Sequence, residues 1–227
     1  MADELRTSGS SGVERGSSYR EDGYELLSGL LPPEVTGAIY QRLSSDLDLA
    51  RNGGRYAVHG SLLTKPSIEV YSHLYPPLAT LLWGLTPTAA AMAGHPLLPT
   101  YCYFRIYQHG DICRVHGDRP ACEHSMSLTL HLSDELPWAL TVEKERKDGP
   151  LATIDQDYGG SDFAELPMRA GDAVMYRGVN HRHGQISPNP NVWSAHIFLH
   201  WVDPKGPHAD QAFDRPALVA NGMGGGR

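Results

Sequence analysis

Two periodicities divide the chain. From Thr100 onward, apolar and polar positions alternate. Met126, Leu128, Leu130 and Leu132 are interleaved with Ser125, Ser127, Thr129 and His131, and Ala195, Ile197, Leu199 and Trp201 with Ser194, His196, Phe198 and His200. Side chains two apart on an extended backbone share a face, so each run predicts a strand with one apolar and one largely polar face. Upstream the spacing is helical. Val35, Ile39, Leu43 and Leu47 repeat every four residues behind Pro32, Pro33 and Glu34. Proline in a first turn sacrifices no hydrogen bond and Glu34 complements the positive helix end, so an amphipathic helix is predicted that closes near Gly53 and Gly54. Pro76 and Pro77 open a second helix with Leu78, Leu81, Leu82 and Leu85 on one face. Pro87 predicts a break in it, with residues 89–94 continuing for a further turn or two. Residues 23–31 read as a short strand ahead of the first helix.

Further along, Gly171 and Asp172 form a turn signal that feeds the apolar run Ala173 to Tyr176, a strand that delivers His181 and His183. Residues 143–160 are charged and turn-rich, which predicts an exposed hairpin or loop. Short strands separated by turns, with two helices ahead of them, define a mainly β (α+β) fold. The expected architecture is a double-stranded β-helix, a jelly roll of the cupin kind, with polar strand faces lining the interior and apolar faces under the N-terminal helices. Residues 1–18 are rich in serine and glycine and almost free of large apolar side chains, so a disordered tail is expected there. Residues 19–203 form the single domain, and 204–227 lose periodicity and read as an irregular C-terminal tail.

Composition narrows the function. A chain of 227 residues can bury a core without staples, and a net charge of −7 with no basic cluster argues against nucleic acid as a partner. The three cysteines, Cys102, Cys113 and Cys122, show no CxxC spacing, so neither a disulfide framework nor a thiolate zinc site is indicated. No basic segment leads into an apolar one at the N-terminus and no eighteen apolar residues run together. A cytoplasmic protein that neither crosses nor enters a membrane is therefore expected.

The chemistry centres on the stretch from Tyr101 to Asp118, which ends in His116-Gly117-Asp118. On an extended chain this spacing turns an imidazole and a carboxylate toward one ion. A third ligand is supplied some way on, by His181 or His183. Two histidines and a carboxylate that leave coordination positions open form the facial arrangement of non-haem iron(II) sites.

The order of these features carries a resemblance. Arg105, Tyr107, Gly110 and Asp111 precede the His-x-Asp pair, the alternating strand follows it, and Gly171-Asp172-Ala-Val-Met-Tyr176 stands ahead of His181-Arg182-His183-Gly184. Across roughly residues 100–203 the chain resembles the 2-oxoglutarate- and iron(II)-dependent dioxygenases, in particular their prolyl and lysyl hydroxylase-like branch. The resemblance implies Fe(II), 2-oxoglutarate and O2 as cofactors. It implies hydroxylation of an unactivated C–H bond on a small molecule or a peptide side chain, with release of succinate and CO2. By the same resemblance His116, Asp118 and His183 hold the metal, His183 being the second histidine of a His-x-His-x-Gly segment, with His181 beside it.

The family also requires a cation for the remote carboxylate of 2-oxoglutarate, normally on the strand about ten residues after the distal histidine. Here that place holds Val192 to His196. Ser194 and His196 are expected to hydrogen-bond the cosubstrate, and the charge to come from Arg105, with Arg182 and Arg177 as alternatives. Tyr107 and His131 match further cosubstrate-contacting positions. A satisfied interior histidine is an equal reading of His131, His196 and His200, Trp138 reads as a packing anchor, and Arg119 either orients Asp118 or is surface. Two other functions fit the same residues: a cupin-type hydrolase or isomerase using another metal or cosubstrate, and a non-catalytic binding barrel.

Overall fold

The computed structural model describes residues 16–151 and 153–214. In chain order these form α1 (Ser17–Asp22), β1 (Tyr24–Leu27), α2 (Pro33–Asp46), α3 (Leu49–Asn52), β2 (Ala57–Val58), β3 (Ser67–Tyr71), α4 (Pro77–Ala93) and β4 (Leu98–Gln108). There follow β5 (Cys113–His116), β6 (His124–Leu132), β7 (Trp138–Glu143), β8 (Ile154–Asp155), β9 (Phe163–Met168), β10 (Ala173–Tyr176), β11 (His183–Gln185) and β12 (Trp193–Val202). All the strand pairings are antiparallel. They build one sheet in the order β1-β10-β6-β12-β4-β3-β2 and a second in the order β8-β5-β11-β7-β9. This is the double-stranded β-helix that the alternating runs predict. Among the described residues no helix is long and apolar enough to cross a membrane.

The main core lies between helices and the larger sheet. Leu78, Leu82, Leu85 and Ala89 of α4 and Leu43 of α2 pack onto Phe104, Met126, Leu128, Ile197, Leu199 and Trp201 from the apolar strand faces. The opposite face of that sheet turns Tyr107, Ser125, Ser127, Ser194, His196 and His200 inward, all buried. Tyr107 and Phe198 of this sheet meet Cys113 and Trp138 of the smaller one, so the gap between the sheets is closed by aromatic rings at one end. Trp138 is the packing anchor that its sequence context suggests: it is 2 % exposed and its indole N–H donates to the Ser187 carbonyl at 2.8 Å.

Several boundaries differ from the sequence reading, each for a local reason. Ser17 and Ser18, counted with the N-terminal tail, begin α1, whose buried Tyr19 shares a 2.5 Å hydrogen bond between its hydroxyl and His124 Nδ1. Residues 204–214, counted with the C-terminal tail, return to the domain, where Asp214 pairs with Arg119 at 3.0 Å. Residues 1–15 and 215–227 of the expected tails lie outside the described residues. The strand expected over 23–31 is limited to Tyr24–Leu27.

Helix α2 ends at Asp46, and its buried positions are Thr36 and Leu43, while Val35 is 44 % exposed. A strict four-residue repeat advances about 40° around the helix at each step, so only the middle of the Val35–Leu47 stripe stays on the packed face. Pro87 does not break α4, which runs unbroken to Ala93 and is capped by Gly94. The ring and Trp83, whose carbonyl loses its donor to the proline, both lie on the exposed side of the helix, so loss of one backbone hydrogen bond is tolerated there.

Candidate metal centre

Two strand ends bring the triad together. His116 closes β5, His183 opens β11, and the antiparallel register sets them directly opposite each other, with ring centroids 4.3 Å apart. Asp118 follows two residues after His116 on backbone held by its own N–H, which donates to the Gly178 carbonyl at 2.9 Å. His116 Nε2 lies 3.8 Å from Asp118 Oδ1, and His183 Nε2 lies 3.5 Å from Asp118 Oδ2. One ligand atom from each of the three residues falls within 4.8 Å of the other two, a spacing that one ion can span.

The imidazoles are oriented by the chain itself. Nδ1 of His116 donates to the Arg114 carbonyl at 2.9 Å, and Nδ1 of His183 to the His181 carbonyl at 2.9 Å. A carbonyl only accepts, so each ring carries a proton on Nδ1, and Nε2 is the atom turned toward the carboxylate. Gly178 completes the cradle. A Cβ there would run into Asp118 Oδ2 and come within 2.8 Å of the Cys122 carbonyl and of Ser125 Oγ, so only glycine leaves the carboxylate its place.

The electrostatics match a cation-binding set. Burial alone would raise the Asp118 carboxyl, but the charge and hydrogen bond of His183, with His116 and His200 nearby, hold it well below the usual carboxylate range. Burial pushes His116 down to about 4, and His183 adds to the shift. Burial also works against protonating His183, yet the Asp118 charge outweighs it and raises that imidazole. A buried carboxylate between two imidazoles needs one positive charge among them, and a metal ion supplies it without the proton.

The cavity beside the triad runs between the sheets and is bounded by Tyr101, Tyr103, Arg105, Tyr107, Gln185 and His200, among others. Arg105 and Tyr107, both expected at the site, therefore share the cavity with the triad. Arg105 Nη1 donates to the Tyr107 hydroxyl at 3.0 Å, and its Nε and Nη2 hold Glu69 of β3 at 2.8 and 2.7 Å. The alternative cations are engaged elsewhere. Arg182 bonds Glu143 and Asp155, and Arg177 lies over the ring of Tyr19.

The other three expected cosubstrate contacts do not line this cavity. A bulge decides His131. Ala195 pairs with His131 but His196 with Thr129, so Leu130 is an extra residue that shifts the alternation and turns His131 to the helix side, where it stacks on Tyr40 at 5.5 Å. Ser194 stays on the inner face but accepts from Asn189 Nδ2 at 3.1 Å. His196 meets Tyr107 edge-on, shares a 3.2 Å contact with Thr129 Oγ1 through Nδ1, and has no partner at Nε2. Burial, reinforced by the Arg105 charge, pushes it down to about 3. His181 lies outside the triad: its Nδ1 donates to the Glu143 carbonyl at 2.8 Å and its ring packs against Tyr24.

Four residues at the site are not among those assigned a role from the sequence, His200 being read there equally as functional or as a satisfied interior histidine. Glu69 sits on a strand with no metal or glycine signal to mark it. His200 and Gln185 carried one, since His200 lies on the polar face of its strand and Gln185 two residues after His183. Both are buried, and their Nε2 atoms have no hydrogen-bond partner. Ser125 also belongs to this polar face and touches Asp118 Oδ2 at 3.2 Å. The three cysteines are free and buried.

Fold and triad together define a double-stranded β-helix with a His-x-Asp…His centre between its sheets. No family model matches the chain, and no curated protein matches it in sequence. Solved structures do. The non-haem α-ketoglutarate-dependent carbocyclase SnoK from nogalamycin biosynthesis aligns with a TM-score of 0.64 at 17% identity, over 85% of this chain and 84% of that one. A prolyl-4-hydroxylase from Pseudomonas putida aligns with a TM-score of 0.58 at 13% identity, over 82% and 96%. HygX from Streptomyces hygroscopicus, with nickel, 2-oxoglutarate and hygromycin B bound, aligns with a TM-score of 0.58 at 12% identity, over 81% and 84%. The chain has the fold of the 2-oxoglutarate-dependent oxygenases.

Proposed function

We propose that the protein is a 2-oxoglutarate- and Fe(II)-dependent oxygenase, with His116, Asp118 and His183 as the metal ligands. One observation carries this reading: the three ligand atoms converge on a cavity that also exposes a buried arginine, Arg105, backed by Glu69. The paired Nδ1–H donors keep the two Nε2 lone pairs free for an ion, and Gly178 keeps the carboxylate in reach of both.

In this reading Arg105 and Tyr107 bind the remote carboxylate of the cosubstrate. Nε and Nη2 of Arg105 are spent on Glu69, which fixes the guanidinium plane, and Nη1 is directed to the Tyr107 side. Gln185 and His200 offer further hydrogen-bonding atoms along the cavity. The cavity measures ≈ 30 Å³, water-sized rather than cosubstrate-sized, so binding is accompanied by movement of lining side chains. Iron with 2-oxoglutarate and O2 would supply the oxidising chemistry, and the protein's share is ligation, orientation and exclusion of water. The substrate is a small molecule or a peptide side chain whose C–H bond is hydroxylated; hygromycin B bound to HygX, a protein of the same fold, favours the small molecule.

Anaerobic titration with Fe(II) and then 2-oxoglutarate tests the reading through the visible charge-transfer band of the chelate. The band is expected in the native protein and in His181→Ala, and is expected to vanish in His183→Ala. Bound metal without any band would sink the 2-oxoglutarate assignment and leave a cupin using another metal or cosubstrate.

A further inference from the structure

The polar face of the larger sheet places two side chains directly behind the Asp118 carboxylate. Ser125 Oγ lies 3.2 Å from Asp118 Oδ2, 3.2 Å from the Cys122 carbonyl and 2.9 Å from His200 Nδ1. Ser125 is fully buried and His200 is 3 % exposed, so water does not compete for these contacts. β6 and β12 hold the pair rigidly, because Ser125 and His200 are opposite partners in the ladder.

The hydrogens can be assigned by counting. Ser125 has one hydroxyl hydrogen, and two of its three neighbours, a carboxylate oxygen and a carbonyl, only accept. If that hydrogen went to His200, both acceptors would face oxygen lone pairs in a buried setting. The consistent arrangement has Ser125 donating toward Asp118 Oδ2 and the Cys122 carbonyl, and His200 Nδ1–H donating to Ser125 Oγ. His200 Nε2 is then a bare lone pair on the cavity wall, which fits its lack of any partner.

We propose that Ser125 and His200 are positioning residues for the metal-binding carboxylate, His200 acting on Asp118 through the Ser125 hydroxyl. This rests on the assignment of Asp118 as a metal ligand. The chain of hydrogen bonds from His200 to Ser125 to Asp118 Oδ2 pins one carboxylate oxygen and so fixes the rotation of the group between the two imidazoles. Outer contacts of this kind set ligand orientation, and their removal weakens metal binding about ten- to a hundredfold.

Co(II) serves as the probe, its affinity read by equilibrium dialysis on the full chain and its environment by the visible d–d spectrum. Thermal melting of each metal-free variant reports on the fold. Ser125→Ala and His200→Phe are expected to weaken Co(II) binding by about ten- to a hundredfold and to alter the d–d bands while the metal-free proteins remain folded. His200→Asn supplies a donor where Nδ1 stood and is expected to restore affinity to near the native value. His200→Gln supplies its amide at the Nε2 position instead and is expected to behave like His200→Phe. Native affinity in a folded Ser125→Ala or His200→Phe protein would overturn the proposal, as would an Asn variant no better than the Phe variant. A native protein that fails to bind Co(II) while His116→Ala behaves identically would instead overturn the metal assignment on which the proposal stands.

Discussion

Arg105 and Glu69 form an ion pair inside the barrel, with Nη2 2.7 Å from Oε1 and both side chains 7 % exposed. Two charges removed from water in this way hold each other in place, and truncating one leaves the other stranded. Glu69 is further held by Ser67 and Tyr71, both at 3.3 Å, so the carboxylate is the fixed member and the guanidinium the one with donors to spare.

Glu69→Ala should therefore cost about 3–5 kcal/mol of stability in urea unfolding, because it leaves Arg105 buried and unpaired. The double variant Glu69→Leu with Arg105→Met should recover most of that loss, since an apolar pair of similar volume replaces both charges. It should nevertheless give no charge-transfer band with 2-oxoglutarate after Fe(II) is bound. Recovery of both properties would remove Arg105 from the cosubstrate site.

Gly178→Ala is expected to act on the metal rather than on the core. Its Cβ would displace the Asp118 carboxylate and press on the Cys122 carbonyl 2.8 Å away. Co(II) affinity measured by dialysis should drop about tenfold or more, the range seen when a ligand loses its orientation. Unchanged affinity would mean that the carboxylate sits elsewhere when metal is bound.

Stability of the metal-free protein should decrease as pH is lowered from 6.5 toward 4. Burial, with a contribution from Arg177, pushes His124 down to about 3, and burial with Arg105 does the same to His196. Burial holds His200 and His116 at about 4. Unfolded histidines titrate near 6.5, so across this window the unfolded chain binds more protons and gains from acid. His183, raised by Asp118, opposes the trend, since its contribution is full below 6.5 and lost as pH rises through its folded value. His181 is lowered by burial as well, so five depressed histidines outweigh one raised one. Each extra proton bound by the unfolded state adds about 1.4 kcal/mol per pH unit. Urea midpoints at several pH values in the presence of chelator measure the slope, and a flat profile would contradict the burial of these rings as neutral groups.

Pro87→Ala should stabilise the protein by about 1–2 kcal/mol in thermal or urea unfolding. Proline within a helix costs about 3 kcal/mol, part of which it returns by restricting the unfolded chain. The ring is exposed on an unbroken α4, so alanine loses no packing. A destabilised variant would show that the ring packs on something in the folded protein.

What the sequence determined by itself was whatever depends on local spacing. Alternation at residues 125–129 and 194–201 set two strands and the apolar side of each, proline pairs set the starts of α2 and α4, and the two-residue step from His116 to Asp118 set half of the candidate metal centre. The choice of His183 over His181 came from a resemblance, and the placement that supports it is tertiary: β11 pairs with β5 so that His183 lies opposite His116, while His181 turns to Tyr24. Only the tertiary structure decided the rest. A single extra residue, Leu130, carried His131 out of the interior, because a bulge reverses every position beyond it and leaves no mark in the alternation of residue types. Glu69 reached Arg105, and His200 reached Ser125, only because strands distant along the chain became neighbours in one sheet. Contacts of that kind are set by the order and register of strands, which no window of sequence contains.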